Sequence, residues 1–141
     1  MWIKNNKIMN IKPIGGVRGV TLCFSTDENR HSEIDVPLVV DSSEYIQQVD
    51  CTKAIVVVSH LLTLVSERRN ALPWIDLPFL ERAAMEGVIA TVVLNDGRVV
   101  DVGSKSAPLR IVSLKDESGT SCSQTPTVTL TLKCENINIT E

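Results

Sequence analysis

The sequence predicts a mainly β protein, a β-sandwich or barrel, with one flanking α-helix around residues 76–87; an α+β fold is the alternative. Apolar residues make up 43% of the 141 residues but aromatic residues only 4%, so Val, Ile and Leu must build the core. Their β-branched members favour sheet. Several segments alternate apolar and polar residues with a period of two, as half-buried strands do. The length suits a single domain, residues 1–141.

The first two predicted strands flank a polar loop, residues 27–32. Three apolar residues of the first strand face one way: Val20, Leu22 and Phe24. The second strand alternates through Ile34, Val36, Leu38 and Val40. Pro37 cannot donate to a β-ladder, so this strand is expected to lie at a sheet edge or to begin at the proline. The glycine-rich residues 15–19 are predicted to form a bend or bulge between strands.

The middle of the chain contains two ambiguous segments. Asp41 and Glu44 have the spacing of a capping box, which predicts a short helix or turn. Its buried side would carry Tyr45, Ile46 and Val49. Residues 54–65 are apolar at both parities, so periodicity cannot separate a buried strand from a buried helix. The β-branched residues 55–58 favour a long strand, and a helix from Ser59 onward is the alternative.

The helix around residues 76–87 has recognisable ends. Asp76 is a good N-cap, and Pro78 is tolerated in the first turn of a helix. Gly87 is expected to end the helix in a left-handed conformation. Helical spacing predicts a buried face of Leu77, Leu80 and Ala84.

The rest of the chain is predicted to return to sheet. Residues 88–94 and 98–102 flank Asn-Asp-Gly at 95–97, a sequence that suits a tight hairpin turn. Residues 109–114 form a further strand, and the polar residues 115–124 a loop. The last strand alternates cleanly. Val128, Leu130, Leu132 and Cys134 are predicted to face the core, and Thr127, Thr129, Thr131 and Lys133 to face outward.

The sequence carries no recognisable catalytic motif, and we expect no enzyme, metal or cofactor. Cys51 with His60 is the best candidate for a nucleophile and base, followed by Cys23 with His31, but neither pair has a local signature. With Cys122 and Cys134, these cysteines contain no C-x-x-C pair and are expected to be reduced core residues. Metal binding would need further ligands at recognisable spacing.

Charge and hydropathy limit the partners that the chain can have. The net charge is −3 and no basic run is interleaved with aromatic residues, which argues against specific nucleic-acid binding. No apolar run approaches the length of a membrane span. Residues 1–16 lack the apolar stretch of a secretory signal. We therefore expect a soluble protein made in the cytoplasm, without a membrane partner.

Four stretches of the sequence carry a family resemblance: residues 79–90, the Asp96-Gly97 turn, residues 108–111 and residues 126–132. Their order resembles the tail-tube proteins of long-tailed bacteriophages and their relatives in contractile injection systems. The resemblance covers roughly residues 51–134. It implies a helix beside a β-sandwich, and a strand-rich C-terminal part that closes the sheet.

The resemblance also implies a virion protein whose copies join edge to edge in a ring, with their sheets lining a channel. Its partners would be itself and other tail proteins of the tube, tail end or baseplate. Exposed strand edges are templates for such contacts. The candidate contacts are the strand from Ile34 to Val40 and the outward residues from Thr127 to Lys133. The alternative is a small monomeric or dimeric cytoplasmic binding or adaptor domain.

Overall fold

The computed structural model describes the backbone of residues 8–26, 33–51, 54–117 and 125–139. Within these ranges it describes the side chains from residue 15 to residue 135. Within these ranges, eight strands and two helices follow one another. They are β1 (Ile8–Phe24), β2 (Ile34–Val36), β3 (Ser43–Cys51), β4 (Ile55–Glu67), α1 (Arg68–Ala71), α2 (Leu77–Glu86), β5 (Val88–Leu94), β6 (Val99–Val102), β7 (Arg110–Glu117) and β8 (Thr127–Ile139). The predicted mainly β class with a flanking helix is confirmed.

The strands form one antiparallel sheet whose two ends meet. Its order is β6-β5-β1-β3-β4-β8-β7, and β2 pairs with β1. Val88, at the start of β5, and Leu109, just before β7, form a bridge. The Val88 amide donates to the Leu109 carbonyl at 2.9 Å, and the reverse bond measures 2.8 Å. Of the predicted alternatives, the sheet is therefore closed like a barrel.

The barrel encloses a hydrophobic core of aliphatic side chains. Leu22, Leu62 and Leu132 have no exposed surface, and they come from three different strands. Burying a side chain of this size stabilises the fold by about 1.5–3 kcal/mol. The predicted alternation of β8 is confirmed. Its core-facing residues Val128, Leu130, Leu132 and Cys134 are all buried.

Helix α2 has the predicted ends but a different buried face. The Asp76 side chain accepts a hydrogen bond from the Phe79 amide at 2.9 Å, and Gly87 follows the helix with a φ of 77°. Phe79 and Ala83 are buried, whereas the Leu77 side chain is 66% exposed. Of the predicted buried face, Leu80 packs against the core, whereas Leu77 and Ala84 are exposed. The Phe79 ring packs between aromatic rings, 5.1 Å from Trp74 and 5.8 Å from Phe24.

The helix or turn predicted at Asp41 is a turn, and strand β3 follows it instead of a helix. Asp41 lies in a turn with a φ of 59°. The Ser43 hydroxyl accepts a hydrogen bond from the Val65 amide of β4 at 2.9 Å. Tyr45 is buried, as predicted, but within the sheet. Cross-strand pairing with β4 therefore overrides the local capping pattern. The strand interpretation of residues 54–65 is confirmed, since β4 is continuous.

Other boundaries differ from the prediction in informative ways. The strand predicted through Val40 ends at Val36, because Pro37 follows it. Strand β7 continues through Glu117 into the predicted loop. The β5–β6 hairpin is confirmed, with Gly97 alone of the three turn residues at positive φ. The glycine-rich segment does contain bulges, but they lie inside β1 rather than between strands.

Four strands continue beyond the barrel. Strand β5 pairs with β1 from Val17 onward, and β7 pairs with β8 only up to Lys133. Residues 8–12, 47–51, 55–60 and 134–139 therefore form a four-stranded sheet, which we call the extension. Its first cross-strand row consists of Lys12, Gln47, His60 and Cys134.

Candidate assembly surfaces

The extension has two open strand edges. Among the strands that the structure describes, residues 8–15 of β1 pair only with β3, and residues 134–139 of β8 pair only with β4. An open edge presents unpaired backbone N–H and C=O groups, which pair readily with another strand. Strand directions alternate across the order β1, β3, β4 and β8. Since that number is even, the two outer strands run in opposite directions.

These directions make the two edges complementary between copies. When two copies stand side by side in the same orientation, β8 of one copy runs antiparallel to β1 of the next. The antiparallel pattern of the sheet then continues across the junction without a break. The contact uses two different edges, so it is heterologous and can repeat from copy to copy.

The extension carries apolar residues on both faces. Val49 and Val58 are cross-strand partners on the face that continues the barrel core, and Ile55 and Val57 lie on the other face. Val49, Val57 and Val58 are half-buried and Ile55 is 40% exposed. Strands that are apolar on both faces are typical of sheets covered on both sides. In a single chain these faces are only partly covered.

The predicted contacts from Ile34 to Val40 are largely inward. Val36 lies in the core, and Ile34 and Leu38 pack against it. The Val39 amide donates to the Val65 carbonyl of β4 at 2.8 Å, so the segment after Pro37 is tied to the barrel. Val40 is 83% exposed and is the accessible side chain of the predicted four. Its role as a subunit contact stays a prediction.

The predicted contacts on β8 form a side-chain face rather than an edge. Thr127, Thr129 and Thr131 are half-buried and Lys133 is exposed. Strand β8 is hydrogen-bonded on both sides along these residues, to β4 and to β7. Any contact here must therefore use the side chains. Lys133 forms an ion pair with Glu135 at 3.1 Å.

The outer edge of β7 is less suited to pairing than the edges of the extension. Its register shifts between Ile111 and Ser113, which leaves Val112 as a bulged residue with 58% exposure. The Arg110 guanidinium donates to the Ala84 carbonyl of α2 at 2.8 Å. Bulges and charged residues such as Lys115 are common protections of strand edges. The sequence patterns do not reveal the open edges, because the first strand assigned from them begins at Val20 and the last ends at Cys134.

A small polar cluster lies where the extension leaves the barrel. The Tyr45 hydroxyl is 2.5 Å from Nδ1 of His60, and Cys134 is the cross-strand partner of His60. Burial raises the pKa of Tyr45 to about 12, and the nearby Cys134 adds to that rise. Burial lowers the pKa of His60. Burial, together with Glu135, raises the pKa of the Cys134 thiol. At neutral pH the cluster is therefore uncharged.

This geometry separates the predicted Cys51 and His60. Cys51 is the cross-strand partner of Val56. Val56 precedes His60 by four residues, so Cys51 lies about 13 Å from His60 in the strand direction. Cys134 takes the place beside His60, but a thiol with a raised pKa is a poor nucleophile. His31 and Cys122 lie outside the described residues. Within the described part, no three or more His, Cys, Asp or Glu residues are grouped to hold a metal ion.

A second concave surface lies beside helix α2. A groove of about 400 Å³ is lined by Phe24, Glu33, Ile34, Trp74, Pro78, Phe79 and Arg82. The Arg82 guanidinium lies 4.1 Å above the Phe24 ring and pairs with Glu86 at 2.6 Å. Trp74 Nε1 is buried without an acceptor among the described residues. The groove combines aromatic walls with a polar rim.

The helices of the described segments are too short or too polar to cross a membrane. Comparison with protein-family models, with curated proteins and with solved structures finds no match to this chain. The fold and the surfaces described above are therefore the basis for a functional proposal.

Proposed function

We propose that this chain is a structural protein that assembles with copies of itself into rings, through strand-edge contacts between the extensions. The observation that carries the proposal is the pair of open edges, residues 8–15 of β1 and 134–139 of β8, which run in opposite directions. The sequence resemblance to phage tail-tube proteins supports a place in a virion, as a tube, tail-end or baseplate component that also contacts other tail proteins.

Assembly accounts for two features that an isolated chain leaves unexplained. Backbone groups at both open edges would gain hydrogen-bond partners, each worth about 0.5–1.5 kcal/mol net. The apolar side chains on both faces of the extension, such as Val49 on one face and Ile55 on the other, would lose exposed surface. A heterologous contact that repeats by a constant rotation closes into a ring when the rotation divides a full turn.

The test is the solution mass of purified protein by light scattering, with negative-stain imaging of the same fractions. We expect concentration-dependent oligomers and rings from the native chain. The substitution Ile137→Lys places a charge on the open β8 edge and should shift the protein toward monomers. The matched control Val112→Lys places the same charge on the bulged β7 edge and should leave assembly unchanged. A native chain that stays monomeric at high concentration would contradict the proposal, as would equal effects of the two substitutions.

The groove beside α2 favours a second candidate, a small monomeric or dimeric binding domain. Its aromatic walls suit an apolar partner segment. This candidate predicts that Phe79→Ala or Arg82→Ala abolishes partner binding in a folded protein while its solution mass stays constant. Assembly that survives Arg82→Ala but not Ile137→Lys would favour the ring proposal instead.

A further inference from the structure

His60 lies at the boundary between the barrel and the extension. Along β4, residues before His60 belong to the extension, and Leu62 and Leu64 after it are buried in the barrel core. On the neighbouring strand, Cys134 is the first residue of β8 beyond the segment that β7 covers. Tyr45, which contacts His60, is 4% exposed and belongs to the core cluster. The Tyr45–His60 contact therefore ties the extension to the barrel.

The chemistry of this contact depends on the protonation of His60. The Tyr45 hydroxyl is protonated at neutral pH, because its pKa is raised to about 12. His60 Nδ1 lies within hydrogen-bond distance of this hydroxyl, and the hydroxyl donates to Nδ1 in one of the two tautomers of the neutral ring. That arrangement requires a neutral ring with its proton on Nε2. A protonated ring carries a hydrogen on Nδ1 as well, so it can only donate to the Tyr45 hydroxyl oxygen, and the half-buried contact then holds a positive charge.

We propose that protonation of His60 releases the extension from the barrel, so that the open edges lose their fixed geometry and assembly is switched off. The release falls on the extension because most of its side chains on β3 and β4 are only half-buried, whereas the barrel strands enclose the core. Regions with fewer buried apolar residues open at lower free energy. The effect on assembly rests on the proposed function; the release itself does not.

The groups around His60 agree with this response. Strand β3 contributes Tyr45 and the uncharged Gln47, and β8 contributes the Cys134 thiol, whose pKa is raised by burial. The register places Lys12 of β1 in the same cross-strand row. Burial disfavours the charged ring and so lowers the pKa of His60. His60 is half-buried, so protons from solvent reach it without global unfolding.

The experiment measures amide hydrogen exchange by NMR on dilute, monomeric protein, from about pH 7.5 to about pH 5. The mean amide exchange rate of residues 47–51 and 55–59 is divided by the mean rate of barrel residues 62–64 and 90–92. This ratio removes the intrinsic pH dependence of exchange. We expect this ratio to rise about tenfold on acidification, the scale of weakening one buried hydrogen bond that involves a charged group. The rise should follow the titration of the His60 ring signal.

Two variants distinguish the proposed mechanism from a general loss of protein stability at acidic pH. His60→Gln keeps an oxygen acceptor for Tyr45 but cannot titrate, so its exchange ratio should stay constant with pH. Tyr45→Phe removes the hydroxyl, so its ratio should already be high at neutral pH and change little below it. A flat ratio in the native protein, or an equal rise in His60→Gln, overturns the proposal. If the ratio responds but the native chain never forms oligomers, the proposed function fails and the release stands.

Discussion

Two glycines with positive φ differ in what surrounds them. Gly87 has a φ of 77° and a ψ of 174°, a backbone region that is essentially restricted to glycine. A Cβ there would lie 2.6 Å from Cβ of Pro108 and 3.0 Å from the Leu109 carbonyl. Gly97 has a φ of 92°, but a Cβ there would meet only Arg18 Nη2, at 3.8 Å. Gly87 thus combines backbone strain with a collision beside the bridge that closes the barrel.

We expect Gly87→Ala to lower the free energy of unfolding by about 3 kcal/mol or more, since strain and overlap both contribute. Gly97→Ala should lower it by about 1 kcal/mol, the cost of the backbone conformation alone. Urea denaturation monitored by circular dichroism measures both values. Equal losses for the two variants would show that the close approach of residues 87 and 108 does not matter.

At the scale of elements, helix α2 depends on its first turn. The Asp76 carboxylate accepts from the Phe79 amide at 2.9 Å, which satisfies a backbone donor that no carbonyl of the helix can reach. Asp76→Ala should therefore lower the free energy of unfolding by about 1 kcal/mol. Glu81→Ala, at an exposed position of the same helix, is the control and should change it by less than about 0.5 kcal/mol. Thermal unfolding of both variants tests the prediction, and an equal effect of the two would contradict it.

The sequence predicted elements best where local signals and tertiary contacts agree. The ends of α2 were predictable because Asp76 and Gly87 act within one turn of their own positions. The buried face of α2 was not predictable, since Phe79 is selected by Phe24 and Trp74, which lie elsewhere in the chain. Strand β3 was missed because the Ser43 hydroxyl bonds to β4, a partner that the local pattern does not reveal.

The candidate assembly surface shows the same limit at a larger scale. Its open edges depend on which strands are neighbours, and β5 and β7 stop short of the ends of β1 and β8. No single segment of the sequence contains that information. The outward face of β8 was predictable, since the alternation from Thr127 to Lys133 is local, but the pairing of β8 with both β4 and β7 was not.

For the whole molecule, two buried groups predict instability at alkaline pH. Burial raises the pKa of Tyr45 from 10.0 to about 12, and it raises the pKa of Cys134 above its ordinary 9.0. In the unfolded chain both groups lose their protons at lower pH than in the folded chain. The folded state therefore holds more protons above pH 9.0, and its stability falls as pH rises. For Tyr45 the free energy of unfolding falls between about pH 10 and about pH 12, by up to about 3 kcal/mol in total.

The single tyrosine of the chain makes this prediction directly measurable, because tyrosinate absorbance reports Tyr45 alone. We expect Tyr45 in the folded protein to titrate well above the midpoint seen in denaturant, together with the loss of β structure. Tyr45→Phe removes the ionisable hydroxyl, so the free energy of unfolding should fall less between about pH 10 and about pH 12 than in the native chain. Cys134→Ala is the matched comparison and should reduce the loss that begins near pH 9.0. An unchanged alkaline slope in Tyr45→Phe would mean that the hydroxyl reaches solvent before the barrel opens. A reduced slope would identify the Tyr45 end of the barrel, the same end that holds the extension, as the part whose ionisation unfolds the molecule.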